Sequence, residues 1–103
     1  MEISAADFKQ RLAQPEAVNI LDVREVIEFH TYNIGGTNVP LSYLIGGTGN
    51  ISYNKTDEII VICKAGIRSK TAQAILIQNG FNNVKNLTGG LLAMQRLSQT
   101  ISI

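Results

Sequence analysis

The chain has 103 residues, 45% of them hydrophobic and 17% charged, with nine Lys+Arg against eight Asp+Glu and a formal charge of +1. A chain of this size buries roughly two-thirds of its unfolded surface, which fits a single domain over residues 1–103. With no basic block, nucleic-acid and anionic-membrane binding by bulk electrostatics are excluded, and the longest strictly apolar run, Ile59 to Cys63, is too short to cross a bilayer. Met1 is followed by an acidic residue and a helix-like pattern, not by a leader, so a cytoplasmic protein is expected. The single cysteine, Cys63, and single histidine, His30, rule out an internal disulfide, a Cys-x-x-Cys relay and a structural zinc site.

In chain order, Ser4 with Asp7 three residues on predicts a capped helix start, and Phe8 and Leu12 fall one turn apart. A first helix is expected over Ala5 to Ala13, stopped by Pro15. Val18 to Val23 is short and nearly all apolar, as a strand buried on both faces should be. Val26 to Tyr32 predicts a brief helix, Thr37 to Val39 a short strand closed by Pro40, and Leu41 to Ile45 one helical turn. Gly46 to Asp57 is polar and glycine-rich and reads as a surface loop. Glu58 to Cys63 is the strongest strand. It leads into a helix with Ala72, Ile75 and Leu76 on one stripe, ended by Asn79-Gly80-Phe81 in a Schellman pattern. Val84 to Leu87 predicts another strand, and Leu91 to Leu97 a last helix. Short apolar strands alternating with helices argue an α/β fold with a mainly parallel sheet, whose ligands sit at the carboxyl ends of strands.

Cys63 occupies such a position, in the run Cys63-Lys64-Ala65-Gly66-Ile67-Arg68-Ser69. Where a strand gives way to a helix, the first-turn N–H groups lack intrahelical partners and form an anion site at the positive end of the helix dipole. The same field favours thiolate over thiol, and Lys64 and Arg68 add two cations. Gly66 lets several N–H groups converge on one point. A buried, inert cysteine ending a strand is the competing reading, which Gly66 and Arg68 at their spacing disfavour.

These residues resemble the active-site loop of rhodanese-like domains, Cys-x-x-Gly-x-Arg-Ser. Leu21-Asp22-Val23-Arg24 with Glu28-Phe29, Asn79-Gly80-Phe81 and Leu87-Thr88-Gly89-Gly90 are similar to further landmarks of that family, in its order. The pattern departs at Ile34-Gly35-Gly36-Thr37, where the family commonly has His-Ile-Pro-Gly-Ala and a looser turn is expected. It departs also at Met94, a position frequently Trp, and in the Gly46–Asp57 loop. The resemblance implies a rhodanese-like α/β fold, a central mainly parallel five-stranded sheet flanked by helices. It also implies a sulfurtransferase in which Cys63 becomes a persulfide, with Lys64, Ala65, Gly66, Ile67, Arg68 and Ser69 as the substrate-binding loop and no metal or organic cofactor. The implied partners are a small-molecule sulfur donor and acceptor meeting an exposed thiolate, or a sulfur-relay protein.

Asp22 and Arg24 end the second strand near the same sheet edge. Asp22 is expected either to hydrogen-bond the Cys63 loop or to be structural, and Arg24 to pair with Glu28. His30 reads as a surface or packing residue, because a thiolate formed by its environment needs no base. Two other functions compete. A cysteine phosphatase or arsenate reductase is disfavoured because four residues separate Cys63 from Arg68, one fewer than the phosphatase-type loop that cradles a tetrahedral oxyanion. A non-enzymatic interaction module is disfavoured because both Cys63 and Arg68 are present.

Overall fold

The four strands expected from the sequence lie side by side, with a fifth at the N-terminus, in a computed structural model that describes residues 1–48 and 51–99. The elements run β1 (Glu2–Ile3), α1 (Ala5–Leu12), β2 (Ile20–Asp22), α2 (Val26–Thr31), β3 (Thr37–Asn38), α3 (Leu41–Ile45), β4 (Ile59–Ile62), α4 (Ile67–Gln78), β5 (Val84–Leu87) and α5 (Gly90–Gln99). The sheet order is β1-β5-β4-β2-β3 and every neighbouring pair is parallel. Gly49 and Asn50 of the expected Gly46–Asp57 loop lie outside the described residues.

Local chemistry accounts for the boundaries. Ser4 caps α1 by accepting the Asp7 N–H at 3.1 Å, as its spacing predicts. Phe8 is buried, whereas Leu12 is exposed at the helix end. On β4, Ile59 and Val61 face one layer together with Cys63, and Ile60 and Ile62 face the other. The first layer packs beneath α3 and α4 through Leu44, Ala72 and Leu76, the second beneath α1 and α5 through Phe8 and Leu91. Both faces of the central strands are therefore dry, which is why they read as unbroken apolar runs. Met94, the departure from the family's Trp, packs at the rim of the second layer.

Glu2 and Ile3 form an edge strand in register with Asn86 and Leu87, a strand that the residue pattern did not announce. One expectation is corrected. The Ile34–Thr37 turn is tight instead of loose. Gly36 has φ +87°, and a Cβ there would sit 2.5 Å from the Ile20 carbonyl oxygen, so only glycine fits against β2.

At the amino end of the sheet, Glu58 gathers two elements. Its carboxylate binds both Arg11 of α1 and Lys85 of β5, while its carbonyl accepts from Asn19 Nδ2 at 2.9 Å. The Arg11 hydrogen bond foremost, opposed by burial and assisted by Lys85, lowers the Glu58 pKa to about 2. A carboxyl held below its unfolded value stabilises the fold above the ordinary carboxylate range of about 4.3 and loses that contribution as pH falls through the folded value. Glu58→Gln is therefore expected to lower stability by up to about 1 kcal/mol at neutral pH, the scale of partly exposed ion pairs. Urea melts of mutant and parent should converge as the pH approaches 2.

Candidate active site

Cys63 immediately follows β4, and its residue is 1% exposed, so the thiol expected in the open is buried beneath its own loop. Gly66 turns the chain with φ +90° and serves as N-cap of α4. That turn brings the Gly66 N–H to 3.1 Å and the Ser69 N–H to 3.3 Å from Cys63 Sγ, with Ser69 Oγ also at 3.3 Å. Burial pushes the Cys63 thiol up. The Ser69 hydroxyl and the N–H groups of Ser69, Gly66 and Ala65 outweigh it, leaving the pKa below its ordinary value. Hydrogen bonds, more than the two cations expected to do so, favour the thiolate here.

The loop keeps this shape because its carbonyls are held from behind. The Leu91 N–H donates to the Cys63 carbonyl and the Leu92 N–H to the Lys64 carbonyl, both at 3.0 Å. The otherwise unpartnered first turn of α5 is thereby satisfied by the loop's own backbone. With those carbonyls turned toward α5, the N–H groups further along can face the sulfur. Gly90 makes the approach possible: a Cβ there would lie 2.5 Å from both carbonyl oxygens.

Arg68, expected to add a cation at the loop, is engaged with a residue of another helix. Its guanidinium forms a two-pronged pair with Glu28 of α2, at 2.7 and 3.0 Å. The Arg68 bond, opposed by burial, brings the Glu28 pKa to about 2. The expected Arg24–Glu28 pair is absent, because the two side chains have other partners. Arg24 clasps Asp22 through Nε and Nη2, the latter at 2.8 Å, both residues being buried. Arg24 then reaches the backbone carbonyls of Glu28 at 3.4 Å and Tyr32 at 2.7 Å. Asp22 thus acts on α2 through Arg24, and the hydrogen bonds of its carboxylate go to Arg24 and not to the Cys63 loop. Lys64, Ala65 and Ile67 are exposed at the rim. His30 is exposed on α2 with its ring edge-on to Phe29.

Three contributors escaped the sequence reading. Glu28 was read as a family landmark and a partner for Arg24, not as the partner of Arg68. Glu2 was assigned to no strand. Asn86 is buried in β5 and binds Ser69 Oγ; a polar residue inside a strand of a helix-covered parallel sheet was the available signal. Among the described residues no helix is long and apolar enough to cross a membrane.

A parallel α/β sheet with a cysteine at the carboxyl end of its central strand, held in a nest of backbone N–H groups, defines a class of thiol-bearing domains. Within it, the chain belongs to the rhodanese-like domain family, whose model matches residues 4–97. It is 37% identical over 91 residues to a Bacillus subtilis protein named as a sulfur carrier, YrkF, covering 87% of this chain and 48% of that one. The chain thus spans about half the length of that relative. It is 32% identical over 96 residues to a sulfurtransferase of Allochromatium vinosum, covering 92% and 88% of the two chains. The crystal structure of a rhodanese-like domain protein from Staphylococcus aureus superposes with a TM-score of 0.79 at 28% identity, covering 91% of each chain.

Because the loop depends on Gly90, Gly90→Ala is expected to cost about 1–3 kcal/mol in chemical denaturation. It should also raise the pH midpoint of Cys63 alkylation, since displaced carbonyls let the N–H groups drift from the sulfur.

Proposed function

We propose that the domain carries sulfur as a Cys63 persulfide, from a thiosulfate- or persulfide-type donor to a thiophilic acceptor. The observation that carries this reading is the convergence of the Gly66 and Ser69 N–H groups on Cys63 Sγ within a loop of four residues between Cys63 and Arg68. The Cys63 thiolate attacks the outer sulfur of the donor. A new S–S bond forms at Sγ, while the bond between that sulfur and the rest of the donor breaks, its electron pair leaving with sulfite or a thiolate. The outer sulfur now bears the negative charge, and a loop with N–H groups aimed at one small anion suits it. An acceptor nucleophile, such as cyanide or a partner's thiol, then takes the outer sulfur, and the S–S electron pair returns to Sγ. Atoms and electrons balance across both steps without a metal or organic cofactor.

In this reading Lys64 and Ala65 line the approach with Ile67, and Lys64 attracts an anionic donor. Arg68 contributes by tying the first turn of α4 to α2 through Glu28, and Asp22 with Arg24 hold α2 in place for that bond. The sulfur-carrier and sulfurtransferase names of the relatives support the same chemistry, and a sulfur-relay protein is a fitting donor or acceptor. A lone thiol that must be regenerated each cycle fits a reducing, cytoplasmic setting. A phosphoryl group seated at the point of attack does not suit the reading, because the N–H groups already lie within hydrogen-bond distance of the sulfur itself.

Intact mass after incubation with thiosulfate is expected to rise by one sulfur, about 32 Da, in an adduct removed by excess thiol, with Cys63→Ser showing none. An adduct persisting in the mutant, or turnover of an aryl phosphate by the parent, would overturn the proposal. Arg68→Ala and Glu28→Gln should each slow sulfur transfer about tenfold or more through misplacement of the loop. Lys64→Ala should instead raise the KM for thiosulfate while leaving kcat near the parent value.

A further inference from the structure

Ser69 Oγ carries one proton and lies between two groups that could receive it. On one side is Cys63 Sγ at 3.3 Å; on the other is the side-chain oxygen of Asn86, at close hydrogen-bond distance. The Asn86 amide has its orientation imposed. Its Nδ2 donates to the Glu2 carboxylate at 3.1 Å and to the Gly66 carbonyl at 3.3 Å, and both of those are acceptors only. Thr88 Oγ1, at 2.9 Å, helps hold the Glu2 carboxylate in place. Oδ1 of Asn86 must therefore face Ser69, and it can only accept. Ser69 and Asn86 are 0% and 3% exposed, so water does not substitute for a missing partner.

We propose that Asn86, anchored by Glu2 and the Gly66 carbonyl, is a positioning residue that sets which way the Ser69 hydroxyl points and so how readily Cys63 ionises. With Cys63 as a thiol, Ser69 donates to Asn86 and accepts the S–H. When Cys63 loses its proton to solvent, the Ser69 hydroxyl swings to the sulfur and Asn86 Oδ1 is left without a donor. Ionisation is thus opposed by Asn86 and favoured by the backbone N–H groups. Charged groups on the surrounding elements are Arg68 of α4, bound to Glu28 of α2; Asp22 and Arg24 at the end of β2, closed on each other; Lys64 in the loop; and Glu2 of β1, which binds Asn86. None of these accepts from the Ser69 hydroxyl, whose hydrogen bonds run to Cys63 and Asn86. One consequence rests on the persulfide reading above. Once sulfur is bound, the charge sits on the outer atom, Sγ needs no donor, and the hydroxyl returns to Asn86, so the bond to Asn86 favours the loaded form over the bare thiolate.

The test follows the Cys63 titration by ultraviolet thiolate absorbance and iodoacetamide alkylation, neither of which depends on sulfur transfer. Asn86→Ala should lower the midpoint by about half a pH unit, a roughly threefold gain in thiolate below it. Ser69→Ala should raise the midpoint, and the double variant should match Ser69→Ala, because the bond by which Asn86 sets the midpoint runs through the Ser69 hydroxyl. In the unmodified protein the Asn86 side-chain amide resonances should titrate with the Cys63 midpoint, and that movement should vanish in Ser69→Ala. An unchanged or raised midpoint in Asn86→Ala, additive effects in the double variant, or amide resonances that ignore Cys63 would overturn the proposal. Loss of the persulfide adduct with these titrations as expected would instead count against the sulfur-carrying reading alone.

Discussion

Two backbone hydrogen bonds, from Leu91 and Leu92 N–H to the carbonyls of Cys63 and Lys64, set the condition on which the rest of the site depends. A chain leaving a strand has no obligatory direction for its peptide groups, and a loop whose carbonyls faced the sulfur would repel a thiolate. By taking up those carbonyls, the first turn of α5 leaves the following N–H groups to face inward. The same contact satisfies donors that any helix start leaves open, so it stabilises α5 and shapes the loop together. It requires the two backbones to approach more closely than a side chain permits, which is the physical content of glycine at position 90.

From that clamp the support spreads outward through three elements. Arg68 ties the start of α4 to Glu28 on α2. Arg24, fastened to Asp22 at the end of β2, holds the carbonyls of Glu28 and Tyr32 and so the position of α2 itself. Asn86 in β5 meets Ser69 from the opposite flank. A buried pair such as Asp22 and Arg24 is weak evidence for stability, because desolvating two charges offsets most of their attraction. Its fourfold hydrogen bonding and its reach into α2 point to a positioning role, which explains a buried pair beside a reactive sulfur better than a stability argument does.

How far the fold was legible in the sequence follows the length scale of each signal. Strand β4 is an unbroken apolar run and β2 is apolar up to Asp22, as desolvation on both faces demands, while β5 carries Lys85 and Asn86 between apolar ends. Strand β1 has two residues, Glu2 and Ile3, too few for any period, and exists only because β5 offers it an edge. The Cys63 loop was legible because its geometry is local: a thiol, a glycine that turns the chain and a hydroxyl on the first helical turn. Pairing was not. Arg24 and Glu28 are four apart, the spacing of a helical ion pair, but α2 begins only at Val26, so Arg24 stands at a bend before the helix, beside Asp22. Glu28 is then free for Arg68, forty residues on, a pairing that only the assembled sheet brings about.

The arrangement also explains why a weakly charged protein can hold an anion without a dedicated cation. Arg68, one of the two cations of the loop, is paired with Glu28, and Glu28 in turn is held as a carboxylate by that contact. If the domain carries sulfur as proposed, a free guanidinium over the cradle would bind sulfite, phosphate or any other oxyanion and compete with delivery of a single sulfur atom. Backbone N–H groups are fixed in direction and reach, so they discriminate by size where a mobile charge would discriminate only by sign. Committing Arg68 to Glu28 therefore leaves recognition to the loop backbone. Lys64 is exposed at the rim, where, on the proposed function, it draws an anionic donor in without dictating what fits beneath.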